Sequence, residues 1–555
     1  MKLTRRDLFV WGAGAAAGLA LTPVPWKLLD DTSIWTQTWP WIPQPVRGPV
    51  EVKHSFCTLC PRGCPLKVRT AAGWPVGVAG VSTNPLTHGA LCPLGFGAHQ
   101  LNWHPRRLRT VVHKGISSSW DAARTAFAKA CNQGSTVVID GYPGRAASQA
   151  LETFTQKRGA YLAALSPETR ALTPYERWSG VPATGLGYDL ENTQTIVSFG
   201  APLLDGWGIP GRFARLWADR AAAANDPELR LIQVENSCSR TATKAYQWLS
   251  IKPGSDGALA TGLARVLIDE HLIGARGPIP RLTVAQAADQ TGISVDAIRD
   301  LARSIVAKPP AVAIANDSNP DVAALNVVLG AVGARGGIVR RAKQTKTCAS
   351  ADSLISKAGT VVIDSTVPWD FEPQTDGEIF RFAAWDGGTS RADWLLPAPG
   401  FLEELTDVPT APTSGIESYA VAPPLTKPAH ETHSAAEFLA SVVSTLPSSE
   451  QVIHARSVDL YKSRRGTVHA KEVTPVDRFE SAQKLEEQLQ AGAIWIGDPP
   501  ALGGVKCELK EWPASLASQS STDWSASWTA PVLPALSTKL YRESTLREVP
   551  DRRTA

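Results

Sequence analysis

Cys57-Thr58-Leu59-Cys60-Pro61-Arg62-Gly63-Cys64 is a C-x2-C-x3-C loop, and a fourth cysteine follows in Leu91-Cys92-Pro93-Leu94-Gly95. Three cysteines in one tight loop and one distant in sequence supply the four thiolates that a cubane iron–sulfur cluster needs, one per iron. Pro61, Gly63 and Pro65 suit a loop that wraps a bulky group, because they preset or relax the backbone. Two other readings stay open. Structural zinc also takes four cysteines, usually as two separated C-x2-C pairs. Two disulfides would require strained pairings among three cysteines crowded into one loop. Haem attachment is excluded, because Pro61 stands where C-x-x-C-H needs histidine. The spacing predicts a [4Fe-4S] cluster on Cys57, Cys60, Cys64 and Cys92.

Cys131, Cys238, Cys348 and Cys507 are scattered singly. Cys131, at the end of a helical stretch 120–131, reads as a small buried apolar residue, and Cys238 as structural. His54, His88, His99 and His104 bracket the quartet, and none is expected to bind iron.

Upstream, Thr4-Arg5-Arg6-Asp7-Leu8-Phe9 puts a twin arginine before an uncharged, Gly- and Ala-rich apolar stretch ending at Leu21. At about 14 residues that stretch is shorter than the ~20 of a spanning helix. It fits a twin-arginine signal over 1–29, with Gly18-Leu19-Ala20 as a small-x-small cleavage site. That route carries proteins already folded around a cofactor. The expected location is therefore the periplasm or the outer face of the cytoplasmic membrane.

The whole chain, 555 residues with 43% hydrophobic and 19% charged, has the composition of an ordinary globular protein of three or four domains. A net charge of +4, with Lys and Arg spread along the chain, leaves no footprint for nucleic acid. Nineteen tryptophans include clusters at 26–41 and 512–528, read as anchors buried under long coils. Downstream of the quartet a β-rich run, a Gly/Pro turn and a helical stretch recur. The runs are 136–139, 195–199, 230–234, 311–314 and 360–363, each short, apolar and β-branched, as strands buried on both faces of a parallel sheet are. Helical partners are 145–158, 212–224 and 257–270. The alternation predicts doubly wound α/β layers, with ligands beyond the carboxyl ends of the strands. The glycine turns Gly141-Tyr142-Pro143-Gly144 and Gly200-Ala201-Pro202 are not GxGxxG, and a nicotinamide dinucleotide is not expected.

Four stretches together resemble the molybdopterin oxidoreductase superfamily, the group of dimethyl sulfoxide reductase, formate dehydrogenase and polysulfide reductase. The cysteine loop continues through Asn84-Pro85 and His88-Gly89 to Leu91-Cys92-Pro93 as the family's N-terminal iron–sulfur domain does. Ile196-Ala201 resembles the strand and turn facing the pterin site. Ile251-Lys252-Pro253-Gly254-Ser255-Asp256-Gly257-Ala258-Leu259 is similar to the family's I-x-P-G-T-D-x-A-L signature, and Ala392-Pro397 with Glu403-Glu404 to a later strand. Within the superfamily, Ile34-Pro43 and Gly200-Trp207 look most like the molybdopterin-like subunits of menaquinone reductase complexes and alternative complex III. The resemblance implies an α/β fold with an N-terminal [4Fe-4S] domain and doubly wound domains of the molybdopterin oxidoreductase type. It divides the chain into a signal (1–29), an iron–sulfur domain (30–114), α/β domains (115–442) and a reduced or irregular C-terminal region (443–555).

It also implies an oxidoreductase: an electron-transfer subunit of a membrane-associated respiratory complex linked to the (mena)quinone pool. Its partners would be an iron–sulfur subunit, a multihaem cytochrome c and a quinone-binding membrane subunit. The alternative is a catalytic Mo/W-bis-molybdopterin guanine dinucleotide oxidoreductase. Three departures from the molybdenum-containing members favour the first. Leu94 stands where they carry Lys or Arg between cluster and pterin, 160–190 contains no Cys to bind molybdenum, and the C-terminal region is short. Ser166, in Leu165-Ser166-Pro167, reads as a helix or turn cap.

Overall fold

The structure, a computed structural model, describes residues 4–21, 48–221, 227–274, 278–341, 352–364, 373–386, 392–443, 445–500 and 502–513. Ile34-Pro43, the tryptophans at 26–41, Cys348 and the chain beyond 513 lie outside the described residues. The chain forms two compact units, one of 1–50 with 71–74 and one of 51–70 with 75–555. In the first, Thr4 and Asp7 cap each other ahead of the helix Arg5–Leu21. Leu8, Phe9, Val10 and Trp11 of that helix are exposed. Among the described residues no helix is long and apolar enough to cross a membrane.

In the second unit all five β-rich runs are strands, and their extended burial follows from their composition. Val137 and Ile139 face one apolar layer with Val361, Ile363 and Ile379, while Val138 faces another with Val362, Phe380 and Phe127. Successive side chains of a strand point to opposite faces, so a run apolar at every position must be covered on both. The runs divide between two sheets. Parallel strands Trp394–Pro397, Glu378–Ala383, Thr360–Asp364, Thr136–Asp140 and Gly159–Ala163 lie in that order, with Val111–His113 and Ile116–Ser118 at the edge beside 394–397. A second sheet, of parallel strands Gln247–Leu249, Arg230–Val234, Thr195–Phe199 and Ala311–Ala315, is formed by chain inserted between two strands of the first. The expected helices are seen as Ala146–Arg158, Pro210–Arg220 and Asp256–Asp269. The doubly wound α/β expectation therefore holds.

Two of the expected boundaries differ from the structure. Strands 111–113 and 116–118 join the first α/β sheet, so that sheet begins inside the segment assigned to 30–114. The chain after 443 is regular for much of its described length. Helices Ser449–Ser463 and Ala482–Gln490 cover a five-stranded sheet in the order Thr406–Val408, Ser418–Ala422, Ile494–Ile496, Thr467–His469, Val473–Pro475. These strands are mostly three residues long, too short to show a periodicity.

Candidate functional site

Strand Val50–Phe56 runs into Cys57, and strand Pro65–Ala71 leaves Cys64. The loop between them is closed by the Cys57 amide, which donates to the Cys64 carbonyl at 2.7 Å. Gly63 takes φ +60° within it, and a Cβ there would lie 1.9 Å from Val408 Cγ1. The fourth cysteine returns past strand Trp74–Gly80, where a Cβ on Gly80 would meet the Gly89 carbonyl oxygen at 2.2 Å. Glycine is thus required at two points where the backbone approaches its neighbours closely. Cys92 then caps the helix Pro93–Gly97, its Sγ accepting the Gly95 amide at 3.4 Å.

This folding brings Cys57, Cys60, Cys64 and Cys92 together, all as free thiols. The first three are buried and Cys92 half-buried, in a core that also holds Phe56, Leu59, Leu66 and Leu94. Burial, followed by the neighbouring thiols, pushes Cys57 and Cys64 well above the ordinary thiol range. Cys92 is pushed up to about 11, chiefly by burial. Four thiolates in so apolar a place repel one another and are starved of water, so they require a bound cation to ionise. Among the described residues no group of His, Cys, Asp or Glu is drawn up around a single metal ion.

The loop is tied to the first α/β sheet. Asp140 and Asp364 pair at the carboxyl ends of neighbouring strands. The Tyr142 amide donates to Asp140 at 2.8 Å, while the buried Tyr142 hydroxyl donates to the Leu59 carbonyl at 2.9 Å. Arg145 stacks over the Tyr142 ring and bonds Asp364 at 2.9 Å.

Beside the loop opens a cavity of about 730 Å3, walled by Pro61, Arg145, Ser166, Arg341, Tyr419 and Arg456, among others. That size suits a small-molecule site, and its place beyond the strand ends follows the rule for open α/β sheets. Among the described residues no cysteine lines it. Ser166 caps the helix Pro167–Arg170, accepting the Thr169 amide at 3.3 Å, as its sequence suggests. The cavity's cations are engaged within the protein. Arg145 pairs with Asp364, Arg456 with Asp407, and Arg465 with Asp498. Arg341, whose pKa burial lowers to about 10, donates to the carbonyls of Ala411 and Thr184. The four thiols fit an iron–sulfur cluster.

Of the remaining cysteines, Cys131 is half-buried and accepts the Thr136 hydroxyl at 3.5 Å, and Cys238 is exposed. The ion pair of Arg62 with Glu168, buried at the loop, does not follow from the cysteine spacing. A charged residue enclosed between Cys60 and Cys64 was its only sequence signal.

Residues 50–102 match the molybdopterin oxidoreductase Fe4S4 domain. Over 542 residues the chain is 27% identical to the menaquinone reductase, molybdopterin-binding-like subunit, of Nitratidesulfovibrio vulgaris, covering 85% of this chain and 78% of that one. It is 22% identical over 337 residues to the thiosulfate reductase molybdopterin-containing subunit of Salmonella typhimurium, covering 53% of this chain and 43% of that protein. The chain thus spans less than half of the latter relative. Acetylene hydratase from Pelobacter acetylenicus shares the fold with a TM-score of 0.62 at 14% identity, over 81% of this chain and 74% of its own. In its iron–sulfur domain, its α/β fold and these oxidoreductase relatives, the chain is similar to the molybdopterin oxidoreductase superfamily.

Proposed function

We propose that this chain is the iron–sulfur electron-transfer subunit of a membrane-associated respiratory oxidoreductase linked to the menaquinone pool. Cys57, Cys60, Cys64 and Cys92 hold its [4Fe-4S] cluster. The observation that carries the reading is the gathering of four thiols from two separate segments, three of them buried and Cys92 half-buried. When bound, the cluster supplies one-electron chemistry. The chain's own residues exclude water from the thiols and steady them through amide donors, the Gly95 amide on Cys92 among them. The quinone link is supported by the relative named as a menaquinone reductase subunit, which the alignment follows over most of both chains. The twin arginine and the exposed apolar helix behind it support export by the twin-arginine route to the outer face of the cytoplasmic membrane. There the partners would be an iron–sulfur subunit, a multihaem cytochrome c and a quinone-binding membrane subunit.

The cavity beside Pro61 favours a second reading, a catalytic Mo- or W-bis-molybdopterin guanine dinucleotide oxidoreductase. Against it stands the internal pairing of the cavity arginines, with no cysteine lining the cavity among the described residues. Metal analysis of the purified native protein separates the two. About four Fe per chain without Mo or W supports the electron-transfer subunit, and stoichiometric Mo or W supports the catalytic reading. An iron-free protein overturns both.

A further inference from the structure

Arg62 sits inside the cysteine loop and is only 3% exposed. Its Nη2 pairs with Oε1 of Glu168, which is as deeply buried and also accepts the Gly208 amide at 3.3 Å. In sequence Arg62 stands two residues from both Cys60 and Cys64, in the loop that carries these two thiols. Among the described residues Arg62 Nε and Glu168 Oε2 have no hydrogen-bond partner. Taking such a pair out of water costs several kcal/mol per ion, and its mutual attraction often does no more than offset that. Apolar side chains would fill the same space more cheaply. The placement calls for another reason, and the neighbouring thiols provide one. Leu94, the buried side chain that follows Cys92 on its helix, brings no charge. The cation beside the thiols comes instead from within the loop.

We propose that Arg62 is a positioning residue that sets the reduction potential of the centre held by the four cysteines, with Glu168 as the counter-charge that holds the guanidinium at the cysteine loop. The inference rests on the [4Fe-4S] reading above. Taking up one electron makes the cluster and its four thiolates one unit more negative, with no bond made or broken. A buried cation at the loop favours that reduced state and raises the potential, and the Glu168 carboxylate opposes it from farther away.

The test is an EPR-monitored titration of the purified protein with dithionite, with iron measured on each sample. Arg62→Met is expected to lower the midpoint potential and Glu168→Gln to raise it, while Arg62→Lys stays near the wild-type value. Opposite shifts from the two ends of one ion pair cannot come from loosened packing. Arg62→Met leaves a buried carboxylate unpaired and can prevent folding. The double variant Arg62→Met with Glu168→Met avoids this, and its potential should fall by less than that of Arg62→Met. Iron-loaded variants with unchanged potentials, or with shifts of the same sign for Arg62→Met and Glu168→Gln, overturn the role of Arg62 and leave the cluster assignment standing. An iron-free wild-type protein overturns the cluster assignment itself.

Discussion

Alanine at Gly63 would lock or break the cysteine loop through two separable costs. The backbone there has φ +60°, a conformation that costs a residue with a Cβ about 1–2 kcal/mol. The new Cβ would also stand 1.9 Å from Val408 Cγ1 and 3.2 Å from Val408 Cβ. Forcing an extra methyl into packed surroundings costs about 1–3 kcal/mol, so Gly63→Ala should destabilise by about 2–5 kcal/mol in all. Val408→Ala alone, at a half-buried position, should cost about 1 kcal/mol. In the double variant the Cγ1 overlap is gone while the backbone cost remains. The pair should therefore be non-additive, recovering about 1–3 kcal/mol relative to the sum of the single variants. Guanidinium unfolding of the anaerobic protein, followed by its iron–sulfur absorbance, gives the four stabilities of this cycle. Costs that add to within about 0.5 kcal/mol would refute the clamp between the loop and strand Thr406–Val408.

Three further outcomes are expected. Cys60→Ala should lose the full iron complement and stop export, because the cofactor-loaded fold does not form; an iron-replete variant recovered outside the cytoplasmic membrane would contradict this. Tyr142→Phe removes the hydroxyl donor of the buried Leu59 carbonyl and should cost about 1–2 kcal/mol in the same unfolding assay. Burial, opposed in part by Arg145, pushes the Glu404 carboxyl from its ordinary 4.5 up to about 7. The folded state therefore binds the extra proton between those values. The stabilisation is fully present below pH 4.5 and is lost as pH rises toward 7. For this half-buried side chain the loss is about 1–3 kcal/mol, and Glu404→Gln should flatten the stability profile across that window. An unchanged profile would refute the shift.

Local features of the chain were legible because they depend on neighbours in sequence. Thr136–Asp140 and Thr195–Phe199 are strands because β-branched apolar runs favour extended backbone buried on both faces. Ser166 is a cap because its hydroxyl reaches an amide three residues on. The cysteine spacing announced its chemistry because four thiols are a requirement of stoichiometry, whatever surrounds them. The five-stranded sheet of 406–496 escaped the sequence because its stability comes from pairing across the fold, which strands such as Thr467–His469 are too short to announce.

The sequence by itself determined which atoms could grip a cluster and which runs become strands, since both follow from residue type and short spacing. Only the tertiary structure decided that Thr136–Asp140 lies beside Thr360–Asp364 and that Arg62 meets Glu168. It also decided that a cavity opens against Pro61. Such contacts join residues far apart in the chain, and no local preference selects them; the packing of whole layers does.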